Sequence, residues 1–211
     1  MLIKDVMNCK VVTVSTSTPV GEAQRIMKEN NFSRLPVVDH GRLVGVVSIR
    51  RLEEVKPRTT APLLWQITYL ISRTTVGDVM RKRVVTVKPT DTVERAIAKA
   101  QSAKVGTLIV LDRGTVVGIC TTTDFFYKIV NPTLGLGIPG IRILVSGDSI
   151  GAEAEKVIAC VNKAGIEVKV LWAIPSSGNR KDIILHLESE DADKVLKELE
   201  KLGCKASILE R

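Results

Sequence analysis

An internal repeat constrains this chain more than any other feature. Asp5-Val-Met7 recurs as Asp78-Val-Met80, Val12-Thr-Val14 as Val85-Thr-Val87, Asp39-His-Gly41 as Asp112-Arg-Gly114, and Val44-Gly45 as Val117-Gly118, every pair offset by 73 positions. Two copies of about fifty residues that align without an insertion are two copies of one folding unit. The apolar face of such a unit is too large to leave in water, so the copies are expected to pack together.

Each copy carries the same order of elements. A short β run, Val11 to Val14 or Val84 to Val87, leads to a helix start. There Thr18 precedes Pro19 in the first copy, and Asp91 with Glu94 suits a capping box in the second. Val93, Ala96, Ile97 and Ala100 then fall at helical spacing. Two further β runs follow, joined by a tight turn at Asp39-His-Gly41 or Asp112-Arg-Gly114, and a second helix begins at Ser48 or Thr121. The unit is β-α-β-β-α. Between the copies, Leu63, Leu64, Ile67, Leu70 and Ile71 predict a connecting helix over 60–72, with Trp65 and Tyr69 on a neighbouring face.

After Asn131-Pro132 the Gly- and Pro-rich stretch from Leu134 to Gly140 marks a boundary. Beyond it the pattern predicts strand 141–145, helix 152–164 stopped by Gly165, strand 167–174, a turn at Ser176-Ser-Gly-Asn179, strand 182–187, helix 191–202 stopped by Gly203, and strand 205–209. That order, β-α-β-β-α-β, is a ferredoxin-like plan. The whole chain is therefore expected to be of mixed α/β (α+β) class.

Composition narrows the chemistry. Aromatic residues make up 3% of the chain, too few for a stacking platform along a nucleic-acid strand. Cys9, Cys120, Cys160 and Cys204 show no paired spacing and only His40 and His186 accompany them, so neither a metal site nor a redox pair is expected. With no nucleophile–base motif, no catalytic residue is assigned and the chain reads as a non-enzyme. No apolar run reaches the ~18 residues of a membrane span, and the charged start lacks a signal peptide's apolar stretch, which points to the cytoplasm. The net charge of +8 divides as +5 over 1–73, +4 over 74–133 and −1 over 134–211, so the two copies carry a field that favours anionic ligands.

The strongest chemical candidate is Gly118-Ile-Cys-Thr121-Thr-Thr-Asp124. A strand ending there and a helix beginning at Thr121 aim backbone N–H groups at one spot, where a phosphate would be stabilised with the Thr121 hydroxyl as a further donor. Asp124, one turn on, offers two oxygens to the vicinal hydroxyls of a ribose. Gly118 removes bulk where a ligand approaches the backbone. Thr121-x-x-Asp124 is equally a capping box, and the local motif alone leaves both roles open. In the first copy the stretch is Gly45-Val-Val-Ser48-Ile-Arg-Arg51, with a guanidinium, which only donates, in place of the carboxylate. One strong ligand site per chain is expected. If the copies face each other, Arg51 reaches a phosphate bound at the second site.

The doubled unit resembles a tandem CBS-domain pair, or Bateman module, and the stretch from Gly118 to Asp124 is similar to that family's ribose-phosphate signature, Gly-hydrophobic-x-Ser/Thr-x-x-Asp. The resemblance implies CBS repeats at 1–56 and 74–131, joined by the connecting helix at 57–73. It implies a sensor of adenosine-containing ligands such as AMP, ATP or S-adenosylmethionine, with Thr86, Val87, Gly106, Thr107 and Leu108 lining the base pocket beside Gly118, Ile119, Thr121 and Asp124. After a linker at 132–140, residues 141–211 resemble an ACT domain. Ser146-Gly147-Asp148-Ser149 stands where that family often has Asp-x-Pro-Gly, so sheet-mediated pairing is the property carried over. The order CBS, CBS, ACT is similar to that of the acetoin-utilisation accessory protein family. A homodimer and an enzyme or transporter target are the expected partners. The alternative is a nucleic-acid-binding regulator using the basic surface of the pair, although Arg50-Arg51 and Arg81-Lys-Arg83 fit solvated turns better.

Overall fold

The computed structural model describes residues 1–55, 73–147, 150–175, 181–188 and 192–209; the connecting helix expected over 60–72 and the turn at 176–179 lie outside them. The described chain divides into two compact units, Met1–Phe125 and Phe126–Arg211, a division that falls ahead of the linker expected at 132–140.

In the first unit each copy builds a helix, Val20–Glu29 or Val93–Ser102, followed by an antiparallel hairpin. The first hairpin joins β1 (Arg34–Asp39) to β2 (Arg42–Ser48); in the second copy, β3 (Thr86–Val87) runs parallel to β4 (Thr107–Asp112), which pairs with β5 (Thr115–Thr121). The hairpins share a register shift at Val37/Val38 and Val110/Leu111. Their turns also match: His40 (φ 48°) with Gly41 (φ 74°), and Arg113 (φ 47°) with Gly114 (φ 87°). Two consecutive left-handed residues make the turn that follows strand twist most closely. The helix starts differ from expectation by one residue. Thr18 Oγ1 accepts from Ser15 N, Asp91 Oδ2 accepts from Lys88 N, and it is Thr92 that caps the second helix by accepting from Arg95 N.

The two copies exchange their leading segments. Ile3 N donates to Asp91 O, Asn8 pairs with Ile119, and Met7 fills the space beside Gly118, all in the second copy. Reciprocally, Val76 N donates to Thr18 O, Arg81 pairs with Val46, and Met80 fills the space beside Gly45 in the first copy. Val76 is fully buried in the first copy's core with Val20, Met27, Leu35 and Leu52. The exchange makes the pair one cooperative unit, since neither copy closes its core without the other's sequence neighbour.

The second unit follows the β-α-β-β-α-β plan. Strand β6 (Ile141–Gly147), helix Ile150–Ala164, β7 (Val168–Pro175), β8 (Lys181–Leu187), helix Ala192–Lys201 and β9 (Lys205–Ile208) give an all-antiparallel sheet of order β7-β8-β6-β9. Ile143, Val145, Leu185 and Leu187 on the sheet pack against Val157, Val161, Val195 and Leu199 on the helices. Cys204 lies in this core and donates to Glu153 Oε2; burial, reinforced by that carboxylate, pushes its thiol up to about 11, so it stays protonated and unreactive near neutrality.

Three surface carboxyls of the first unit titrate below their ordinary values. Asp39 is lowered chiefly by hydrogen bonds from the Thr16 hydroxyl and amide, Asp78 by those from the Thr75 amide and hydroxyl, and Glu94 by a bond from its own backbone and one from Thr92. A depressed folded-state value stabilises the fold above the ordinary values of 3.8 and 4.5, and this contribution disappears as pH falls through the folded values. Melting temperatures by circular dichroism are therefore expected to be flat from about pH 7 to 5 and to drop below about pH 4. Thr16→Val should flatten part of that drop, and an acid limb unchanged in that variant would remove Asp39 from the account.

Candidate functional site

Thr121 ends β5, paired with Thr107 on β4, and a helical turn begins at Thr122. Asp124 Oδ2 accepts from Thr121 N at 2.8 Å and from Thr121 Oγ1 at 2.6 Å, while Asp124 N donates to Thr121 Oγ1 at 3.3 Å. The capping box is thus formed. Two donors expected to face a phosphate, the Thr121 amide and hydroxyl, are turned onto Asp124, and Thr122 N donates to Gly106 O. Charge for an anion has to come from elsewhere.

The first copy brings cationic side chains to this turn. The Thr121–Asp124 turn and Ile119 form one wall of a cavity of about 430 Å³, within the range of about 300–1,000 Å³ typical of small-molecule sites. The opposite wall is Lys10 to Val12 and Asn31 to Pro36. The leading-segment exchange that pairs Asn8 with Ile119 brings this wall to the turn. Lys10 and Arg34 therefore line the same space as the half-buried Asp124, with amide and hydroxyl groups from Asn31, Ser33 and Thr123 between them. One carboxylate acceptor and two cations suit a ligand with a diol at one end and an anion at the other. Among the described residues no group of His, Cys, Asp and Glu is placed to hold a metal ion.

A second, smaller cavity of about 130 Å³ repeats this geometry under the 73-residue shift: Arg81, Arg83, Lys104 and Thr107 stand where Asn8, Lys10, Asn31 and Arg34 stand in the first. Arg34 itself lines both cavities.

The expected site residues consequently separate. Ile119, Thr121 and Asp124 line the larger cavity, whereas Gly106 and Thr107 line the smaller one. Thr86, Val87, Leu108, Gly118 and Arg51 line neither. Val87 and Leu108 are core, 4% and 0% exposed. A Cβ on Gly118 would lie 2.5 Å from Met7 Sδ, so that glycine makes room for the protein's own methionine. Arg51 pairs with Glu54 at 3.1 Å and lines an open depression with Asp78. Lys10 and Arg34 are the cations that line the larger cavity. Their signal was the repeat itself, but an alignment of copies does not say which copy's leading segment faces which turn.

The CBS domain model matches residues 3–56 and 76–131, more than half of the chain, and the protein belongs to the CBS domain family. An inosine-5'-monophosphate dehydrogenase of Korarchaeum cryptofilum is 33% identical over 123 residues, 58% of this chain; the match spans 23% of that enzyme's length. Among solved structures, a Vibrio cholerae protein ascribed to acetoin utilization (AcuB) superposes at a TM-score of 0.52 with 25% identity, over 62% of this chain and 91% of the other. The CBS domain pair of protein MJ0100, solved in complex with 5'-methylthioadenosine and S-adenosyl-L-methionine, superposes at 0.50 with 25% identity, over 61% and 98%. No described helix is long and apolar enough to cross a membrane.

Proposed function

We propose that this protein is a regulatory sensor that binds an adenine nucleotide or related adenosyl compound in the 430 Å³ cavity and passes its occupancy to the second unit, with no reaction of its own. The observation that carries this is the placement of Asp124 in one cavity with Lys10 and Arg34. Asp124 accepts from the ribose hydroxyls, and the two cations take the phosphate. The MJ0100 complex, with its adenosyl ligands in a CBS pair, supports the ligand class. Because the charge favours anions, AMP and ATP are ranked ahead of S-adenosylmethionine, whose sulfonium is positive.

The second unit acts in this scheme as an ACT-like module. Its four-stranded sheet has edges at β7 and β9, and an edge is a template for pairing with a second copy, so the protein is a dimer. Isothermal titration with AMP, ATP and S-adenosylmethionine tests the ligand class: one site per chain and the stated order are expected. No binding by any of the three, or two equal sites per chain, contradicts the scheme.

A further inference from the structure

We propose that the segment from Leu134 to Pro139 is a detachable strap, hinged at Gly140, that docks on the open face of the second unit's sheet, bars that face while docked, and opens without unfolding the sheet. Successive side chains of a strand point to opposite faces, and Ile143 and Leu185 are turned into the core beneath the helices. Their neighbours Arg142 and His186, paired across β6 and β8, therefore stand on the other face. There the strap closes over them. Arg142 Nη2 donates to Leu134 O at 2.8 Å and to Gly135 O at 3.3 Å, and His186 Nε2 lies 3.2 Å from Pro139 O. A Cβ on Gly135 would run into His186 Nδ1 and lie 3.1 Å from Val170 Cγ2, so the strap meets the face along glycine backbone. Both ring nitrogens of His186 are thereby enclosed, and the residue is 0% exposed.

The hold is polar and shallow. Within the strap Gly135 alone is buried; Leu136 is 47% exposed, and a Cβ on Gly137 would have nothing within 4 Å. A segment with few buried apolar contacts opens at a lower free-energy cost than the core it lies on. Gly135, Gly137 and Gly140 sit at φ 62°, 82° and 123°, so the path of the strap is set by residues that change conformation without a side-chain penalty. Gly140 differs from the other two in lying against the Leu187 carbonyl, beside the Ile141–Leu187 pair, and this makes it the fixed end. At the other end the chain runs without a gap from the helical turn Thr122–Phe125 through a π-helix, Phe126–Val130, and the turn Asn131–Thr133 into Leu134. A π-helix is rare and is found frequently at functional positions. The strap is thus the stretch by which the Thr121–Asp124 turn is joined to the sheet.

Hydrogen exchange followed by mass spectrometry and carbethoxylation by diethyl pyrocarbonate, both on the full chain, test the strap, which stands whether or not the larger cavity takes an adenosyl compound. The chain has two histidines, and the exposed His40 is the internal reference for His186. In the unmodified protein, residues 134–139 are expected to exchange about a hundredfold faster than 141–145, with His186 labelled far more slowly than His40. Arg142→Ala should speed both exchange in 134–139 and labelling of His186 by about tenfold while 141–145 stays unchanged. Gly135→Ala should speed His186 labelling by about tenfold more than Gly137→Ala does, since both carry the left-handed penalty and only the former meets His186. Equal protection of 134–139 and 141–145 in the unmodified protein overturns the strap, because the segment then opens only with the sheet. So does His186 labelling that stays unchanged in both Arg142→Ala and Gly135→Ala, or that rises only together with exchange in 141–145.

Discussion

Asp124→Ala is expected to weaken binding of AMP or ATP by several-fold to a hundredfold, because a ribose diol left without its charged acceptor costs about 1–3 kcal/mol. The same carboxylate caps its own turn through Thr121 N and Oγ1, so the variant also loses about 0.5–2 kcal/mol of local stability. Asp124→Asn separates the two effects. Its amide oxygen still accepts from Thr121, keeping the cap, but it accepts more weakly from the ribose, so affinity should fall part-way while the melting temperature holds. A loss of stability in Asp124→Ala with unchanged affinity by calorimetry would reduce Asp124 to a helix cap.

The largest effect on folding is expected at Gly140, in the approach to β6. Its φ is +123°, a conformation that side chains rarely adopt, and a Cβ there would lie 2.0 Å from the carbonyl oxygen of Leu187. Leu187 is paired with Ile141 in the β6–β8 ladder, so relief of the clash means opening the register at the sheet's centre. Backbone strain and overpacking together place Gly140→Ala at about 3 kcal/mol or more. For a unit of this size that is a fall on the order of 10–20 °C in its melting. Gly137, with φ +82° and nothing within 4 Å, is the control: Gly137→Ala should cost only the left-handed penalty of about 1–2 kcal/mol. Equal melting of the two variants by calorimetry would show that the Gly140 contact yields without disturbing the sheet.

Much of the fold was legible because its signals are local. Asp39-His-Gly41 and Asp112-Arg-Gly114 announce hairpins through the turn itself, and Gly165 and Gly203 end helices by adopting positive φ. The β-α-β-β-α-β order of the second unit followed from the same signals. Helix starts were one residue out because Thr18 and Asp91 spend their side chains on the preceding turns.

One wall of the candidate cavity was legible in a single motif. Thr121 and Asp124 belong to one continuous motif and lie on the cavity wall. The facing wall depends on the exchange of leading segments, a pairing between residues over a hundred positions apart, such as Asn8 with Ile119, that periodicity does not encode. The family resemblance placed residues 106–108 beside Asp124; Asn31 to Pro36 line the larger cavity with Asp124, and Gly106 and Thr107 line the smaller one. At Gly118 a small residue signals that something approaches closely, and Met7 does so.

The central claim is that the ligand cavity is built from both copies, and a crystal structure of the chain soaked with AMP tests it most directly. The account predicts the ribose on Asp124 and the phosphate between Lys10 and Arg34, with the base against the Val11–Val12 and Phe32–Pro36 wall. An AMP molecule found instead with its base against Gly106 and Thr107, or in contact with residues of the second copy alone, would contradict it.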